Sequence, residues 1–114
     1  MVSINLDIKN NLFKGLRKDL ETANRHIKII ESLMREQPSG IIKISQNTGI
    51  PDHKIRYSLR ILERDGIIIP SKDGAIITPE FVENKEALLD EIRDIIKDMN
   101  SLEDEINKSL LGRK

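Results

Sequence analysis

Residues 44–70 read ISQNTGIPDHKIRYSLRILERDGIIIP, and the local chemistry of this stretch decides the fold. Thr48-Gly49 ends one apolar-periodic segment, because glycine adopts the left-handed conformation that closes a helix. Pro51 and Asp52 open the next: proline tolerates the first position of a helix, and an acidic side chain complements the positive end of the dipole. Ile55, Leu59 and Leu62, spaced four and three, predict a buried stripe on a helix over about 52–64, which Asp65-Gly66 closes.

Immediately upstream, Ile41 and Ile44 share one face of a two-turn helix, bounded on its N-terminal side by the turn-forming Gln37-Pro38-Ser39-Gly40. Before that turn, Phe13, Leu16, Leu20, Ala23, Ile27, Ile30 and Met34 step alternately by three and four, the spacing of a heptad seam. Thr22 and Asn24 are good capping residues, so the seam is predicted to divide into helices near 5–22 and 25–37.

Downstream, Ile67 to Pro70 and Ala75 to Thr78 are β-branched segments around Ser71-Lys72-Asp73-Gly74, which predicts a hairpin. Thr78-Pro79 then caps a long helix in which Phe81, Leu88, Ile92, Ile95, Met99, Leu102 and Ile106 occupy a and d sites of one register. Thirty residues of helix would run about 45 Å, more than one small core covers, so this seam wants a partner. Helix, short helix, turn, helix, hairpin is a mainly α (α+β) architecture: a winged helix-turn-helix with a two-stranded wing, an N-terminal helix and a long C-terminal coiled-coil helix. The segments are expected at 1–24, 25–78 and 79–114.

Composition narrows the function classes. The 114 residues carry 19 Lys+Arg and 19 Asp+Glu, and aromatic residues are 3%, so Ile, Leu and Val must build the interior. The even charge conceals a gradient: residues 25–78 hold nine basic against six acidic residues, and residues 79–114 hold six against ten. A chain without cysteine has no disulfide framework, thiolate metal site or thiol nucleophile. Apolar runs are three residues at most, and the N-terminus lacks a basic start and apolar stretch, so a cytoplasmic location without membrane association is expected. The six glycines are too scattered for a phosphate loop. No serine-centred elbow or HExxH pair occurs, and His26 has no second histidine at ligand spacing, so no catalysis, metal or cofactor is expected. Glu103-Asp104-Glu105 reads as a solvated flank, since consecutive helical residues do not converge on one point.

Off the buried stripe of the 52–64 helix stand His53, Lys54, Arg56, Tyr57, Arg60 and Arg64. Arginine can give paired hydrogen bonds to guanine or grip phosphate, lysine supplies a point charge, and tyrosine can donate to phosphate or pack on a thymine methyl. The bland alternative is a solvated face with Glu63 and Asp65 as ion-pair partners.

The quoted stretch also resembles the core of the winged helix-turn-helix transcription regulators of archaea and bacteria. The resemblance rests on Ile44, Gly49-Ile50, Ile55, Leu59, Leu62-Glu63, Gly66 and Ile67-Ile68, and covers about Arg25 to Thr78. Pro51 stands where that family usually has a capping Ser or Thr. With its tail, the chain is similar to small archaeal winged-helix proteins that dimerise through a C-terminal helix. The resemblance implies a homodimeric, sequence-specific regulator of transcription that binds double-stranded DNA with the 52–64 helix in the major groove. The expected DNA contacts are Asp52, His53, Lys54, Arg56, Tyr57, Arg60, Arg64 and, on the wing, Lys72. The expected dimer contacts are Leu88, Ile92, Ile95, Met99, Leu102 and Ile106, with the N-terminal helix as a further candidate. The alternative is a winged-helix protein-protein interaction module that binds no DNA.

Overall fold

The computed structural model describes residues 6–113. It is mainly helical with one two-stranded antiparallel sheet. The order is α1 (Ile8–Asn11), α2 (Lys14–Arg35), α3 (Ile41–Thr48), α4 (Asp52–Arg64), β1 (Ile68–Ser71), β2 (Gly74–Ile77), α5 (Pro79–Asn84) and α6 (Ala87–Glu105), then a π-helical turn over Ile106–Leu110. Contacts divide the chain into two units, one ending at Phe81 and the other beginning at Val82.

The first unit is built on a small aliphatic core. Ile29, Ile30 and Leu33 from α2 meet Ile44 from α3, Ile55 and Leu62 from α4, and Ile68, Ala75 and Ile77 from the sheet. Ile41, Ile50, Leu59, Ile67 and Phe81 pack around this cluster. Phe81, which heptad spacing puts on the C-terminal seam, therefore serves the first unit.

Two turns are set by backbone chemistry. Gly49 (φ 75°) closes α3, its N–H donating to the Ser45 carbonyl. At the end of α4 the Gly66 N–H donates to Glu63 and the Ile67 N–H to Leu62, with Gly66 at φ 78°, so both orphan carbonyls are satisfied. This arrangement explains a one-residue difference from the expected strands. Ile67 is consumed in capping α4, and β1 begins at Ile68 and pairs with Ile77. The loop is correspondingly only Lys72-Asp73, with Gly74 already in β2 and Ser71 Oγ donating to the Gly74 carbonyl.

The sheet is extended by the segment before α3: Ser39 and Ala75 exchange two backbone hydrogen bonds, of 3.2 and 2.8 Å. The Ile77 N–H donates to Gln37 Oε1 at 2.7 Å, and the Gln37-Pro38 peptide is cis. Thr78 Oγ1 donates to the Gly66 carbonyl and accepts the Phe81 N–H, which fixes the expected start of α5.

The expected break at Thr22–Asn24 is absent. α2 runs unbroken through it, because neither residue is a helix breaker and Thr22 Oγ1 accepts from Arg25 instead of capping a new helix. The interruption falls earlier, between Asn11 and Lys14; the expected helix start near residue 5 lies outside the described residues. The predicted single C-terminal helix is likewise divided, by a turn at Lys85-Glu86 where N–H groups of Leu88 and Leu89 bond three residues back. α6 then forms the second unit with the π-helical turn, and every residue from Val82 to Glu105 is exposed. Among the described residues no helix is long and apolar enough to cross a membrane.

Candidate nucleic-acid interface

α4 turns Ile55, Ser58 and Leu62 inward, all nearly fully buried. The helical period then dictates what lies opposite: His53, Lys54, Arg56, Tyr57, Arg60 and Arg64 are all exposed. His53, Arg56, Tyr57, Arg60 and Arg64 recur at i, i+3, i+4, i+7 and i+11, one continuous stripe along a helix about 20 Å long. Asp52, in the first turn, is exposed and with Arg56 lines an open cleft shared with Gly40, Ile41, Ile42, Lys43 and Gln46. No side chain caps α4, because Pro51 occupies that position.

The cations of this region are not equivalent. Arg64 Nε donates to Asp65 Oδ1 at 3.1 Å, an exposed pair worth at most about 1 kcal/mol. Lys43 is paired with Glu36, whose carboxyl is held below its usual range first by that lysine's hydrogen bond and further by Asn47. Lys72 is exposed on the hairpin loop beside Asp73.

Under the stripe lies a polar node that sequence reasoning missed. Arg25 Nε donates to Ser58 Oγ at 3.1 Å, and His26 Nδ1 lies 2.9 Å from the same oxygen. Arginine can only donate, so Ser58 Oγ accepts from it, and the direction of the Ser58–His26 hydrogen bond follows the imidazole tautomer. The Arg25 guanidinium also stands 5.9 Å from the centre of the Tyr57 ring, within cation–π range. α2 thus grips α4 on its inner side at Ser58 and on its outer side at Tyr57. The partners are 32 and 33 residues apart, so no local spacing announces them. The only sequence signal is a serine at a position whose neighbours on the stripe are aliphatic.

Burial, and then the adjacent Arg25 charge, hold the His26 imidazole below its ordinary value of 6.5, with Asp65 opposing. A histidine whose folded pKa is lowered favours folding in its neutral form. That contribution is complete above about pH 6.5 and is lost as pH falls from there through the folded value. Thermal melts of the parent between pH 7.5 and 5 are therefore expected to show a loss of stability that His26→Gln lacks. Parallel pH profiles for the two proteins would show that His26 does not carry the effect.

Among the described residues no group of three or more His, Cys, Asp and Glu side chains is placed to hold a metal ion. A scan against models of known protein families finds no match to this chain, and neither does a search of curated protein sequences.

Proposed function

We propose that this chain is a winged helix-turn-helix regulator of transcription that acts as a homodimer and binds double-stranded DNA sequence-specifically. α3 and α4 form the helix-turn-helix, α4 enters the major groove, and the β1–β2 hairpin is the wing. The observation that carries this reading is the exposed stripe of α4, in which Arg56 and Arg60 lie four residues apart on the side opposite Ile55, Ser58 and Leu62. Two guanidinium groups so placed can take the hydrogen-bond acceptors of guanine or adjacent phosphates. His53, Lys54 and Tyr57 flank them, Asp52 stands at the entry, and Arg64, tied to Asp65, serves as a phosphate clamp. The wing, with its two-residue loop, carries Lys72 alone as a cation, so its share is small.

The homodimer is supported by α6. Leu88, Ile92, Ile95, Met99 and Leu102 are 36 to 49% exposed, and Ile106 continues their register. Full burial of such a side chain is worth about 1.5 to 3 kcal/mol, and covering the part still exposed, somewhat under half of that each, favours pairing over solvation. A two-fold pair presents two copies of α4 to half-sites about 34 Å apart on a pseudo-palindrome.

The test is a gel-shift titration with random and selected duplexes at low and moderate salt. Affinity is expected to fall with salt by about 0.9 logarithmic units per phosphate neutralised, per tenfold salt. Arg56→Ala and Arg60→Ala are each expected to weaken the selected duplex by about 1 to 3 kcal/mol, and Lys72→Ala to weaken all duplexes alike and less. Parent-like binding by both arginine variants would remove α4 as the reading face. Absence of binding to any duplex at low salt would favour a protein-docking role for the same surface.

A further inference from the structure

α2 poses a problem that the first unit does not solve. Its C-terminal half packs on the core through Ile29, Ile30 and Leu33, yet from residue 14 to residue 24 every side chain is exposed except the half-buried Thr22. Leu16 is 46% and Leu20 66% exposed, and farther along Ile27 and Met34 are 46% and 45% exposed on the same helical side. A helix segment this short is marginal in water without tertiary support. The free face is also defined in sign and position. With Leu20, Ile27 and Met34 at a and Leu16, Ala23 and Ile30 at d, the g positions His26 and Leu33 turn toward the core, the g position Asp19 is exposed, and the e positions are open. Those are Arg17, Asn24 and Glu31.

We infer that α2 pairs antiparallel with α2 of a second copy of this chain, the protruding half of each helix lying along the core-packed half of the other. The heptad arithmetic fixes the register. Antiparallel packing opposes a to d, so Leu16 meets the second copy's Met34 and Ala23 meets its Ile27, while Leu20 falls beside the edge of its Ile30. In this register the e positions of the two helices face each other. Arg17 then stands against the second copy's Glu31, twice per pair, and the two Asn24 side chains meet at the two-fold axis. The register also covers both exposed halves in one operation, which an isologous contact does by symmetry. A parallel pair would set Arg17 against Leu12 and leave it without an acid. Among the described residues Glu31 has a long contact to Arg35 within its own helix, 3.9 Å between largely exposed side chains, which leaves it available for the exchange.

This inference rests on the homodimeric reading but on no step of DNA recognition, and it adds a contact between copies separate from the α6 stripe. Its test exploits the absence of native cysteine. Ala23→Cys and Ile27→Cys chains, each with a different tag, are co-expressed, exposed to mild oxidant and run on non-reducing gels. Both sites are exposed, away from the core, so neither substitution threatens the fold. The mixed disulfide is expected to form at least tenfold faster than either self-disulfide. In the antiparallel register, identical positions are four residues, about 6 Å, apart along helices 8–10 Å from one another, beyond the reach of a disulfide. Self-linking of either variant in preference to the mixed product would establish a parallel pair and overturn the proposal, as would no linking at all. Sedimentation of the parent separates the two levels. A dimer that forms no mixed disulfide rejects the α2 contact alone, whereas a monomer at micromolar concentration rejects the homodimeric reading with it.

Discussion

Replacing Gly74 with alanine is expected to remove about 3 to 5 kcal/mol of folding stability, from backbone strain and lost hydrogen bonds together. Gly74 opens β2 at φ 129°, a conformation that L side chains rarely adopt. Space forbids the substitution independently, because a Cβ there would clash with the Ser39 carbonyl carbon and lie 2.5 Å from its oxygen and 2.6 Å from the Gly40 nitrogen. That peptide belongs to the segment paired with Ala75, so relief of the clash means separating Ser39 from Ala75 and losing both of their hydrogen bonds. Urea unfolding followed by circular dichroism measures the effect, and a loss below about 1 kcal/mol would show that the segment yields freely. The same substitution at Gly15, where nothing lies within 4 Å of the added carbon, is the control. In the first turn of α2 it is expected to be neutral or slightly stabilising.

The second large effect is expected at Ile55. It is fully buried on the inner side of α4, in the cluster that joins α2, α3 and the sheet. Ile55→Ala removes three carbons from a core that holds nine buried aliphatic side chains among the described residues, too few for the remainder to close readily over the gap. The expected cost is about 3 to 4 kcal/mol, a large share of the 5–15 kcal/mol that holds a typical domain. Arg60→Ala, on the exposed side of the same helix, is expected to change stability by less than about 0.5 kcal/mol. Equal destabilisation by the two would mean that α4 is not packed through Ile55. The contrast also permits the DNA experiments to be read as binding, because the arginine variants remain folded.

The parts of this fold that are legible in the sequence are those fixed by a residue's own backbone chemistry. Gly49 and Gly66 end helices because they accept positive φ, and Thr78 starts α5 because its hydroxyl reaches the Phe81 N–H. The aliphatic spacing of α4 likewise predicts which of its sides is exposed, and the basic stripe follows from it. Capping residues without a breaker mislead, as at Thr22 and Asn24, since a preference of about 1 kcal/mol does not stop a helix that is favoured on both sides. The heptad seam of α2 runs Leu20, Ala23, Ile27, Ile30, but the core takes Ile29, Ile30 and Leu33. Adjacent isoleucines fit either stripe, and packing from α3, α4 and the sheet chooses between them. The π-helical turn after Glu105 and the turn at Lys85-Glu86 have no glycine or proline to mark them. The Arg25–Ser58–His26 node is invisible for another reason: its partners come together only when two helices are packed.

That node has a geometrical corollary. Aliphatic packing decides which side of α4 is buried but is forgiving of small rotations about the helix axis, since methyl contacts are not directional. A single hydroxyl held by two fixed ring and guanidinium nitrogens is not. Turning α4 by about 30° would move a side-chain atom about 5 Å from the helix axis by roughly 2.5 Å, enough to break both contacts. Arg25 and His26 therefore act as a key in a shaft, setting the azimuth at which the opposite row of side chains faces the solvent.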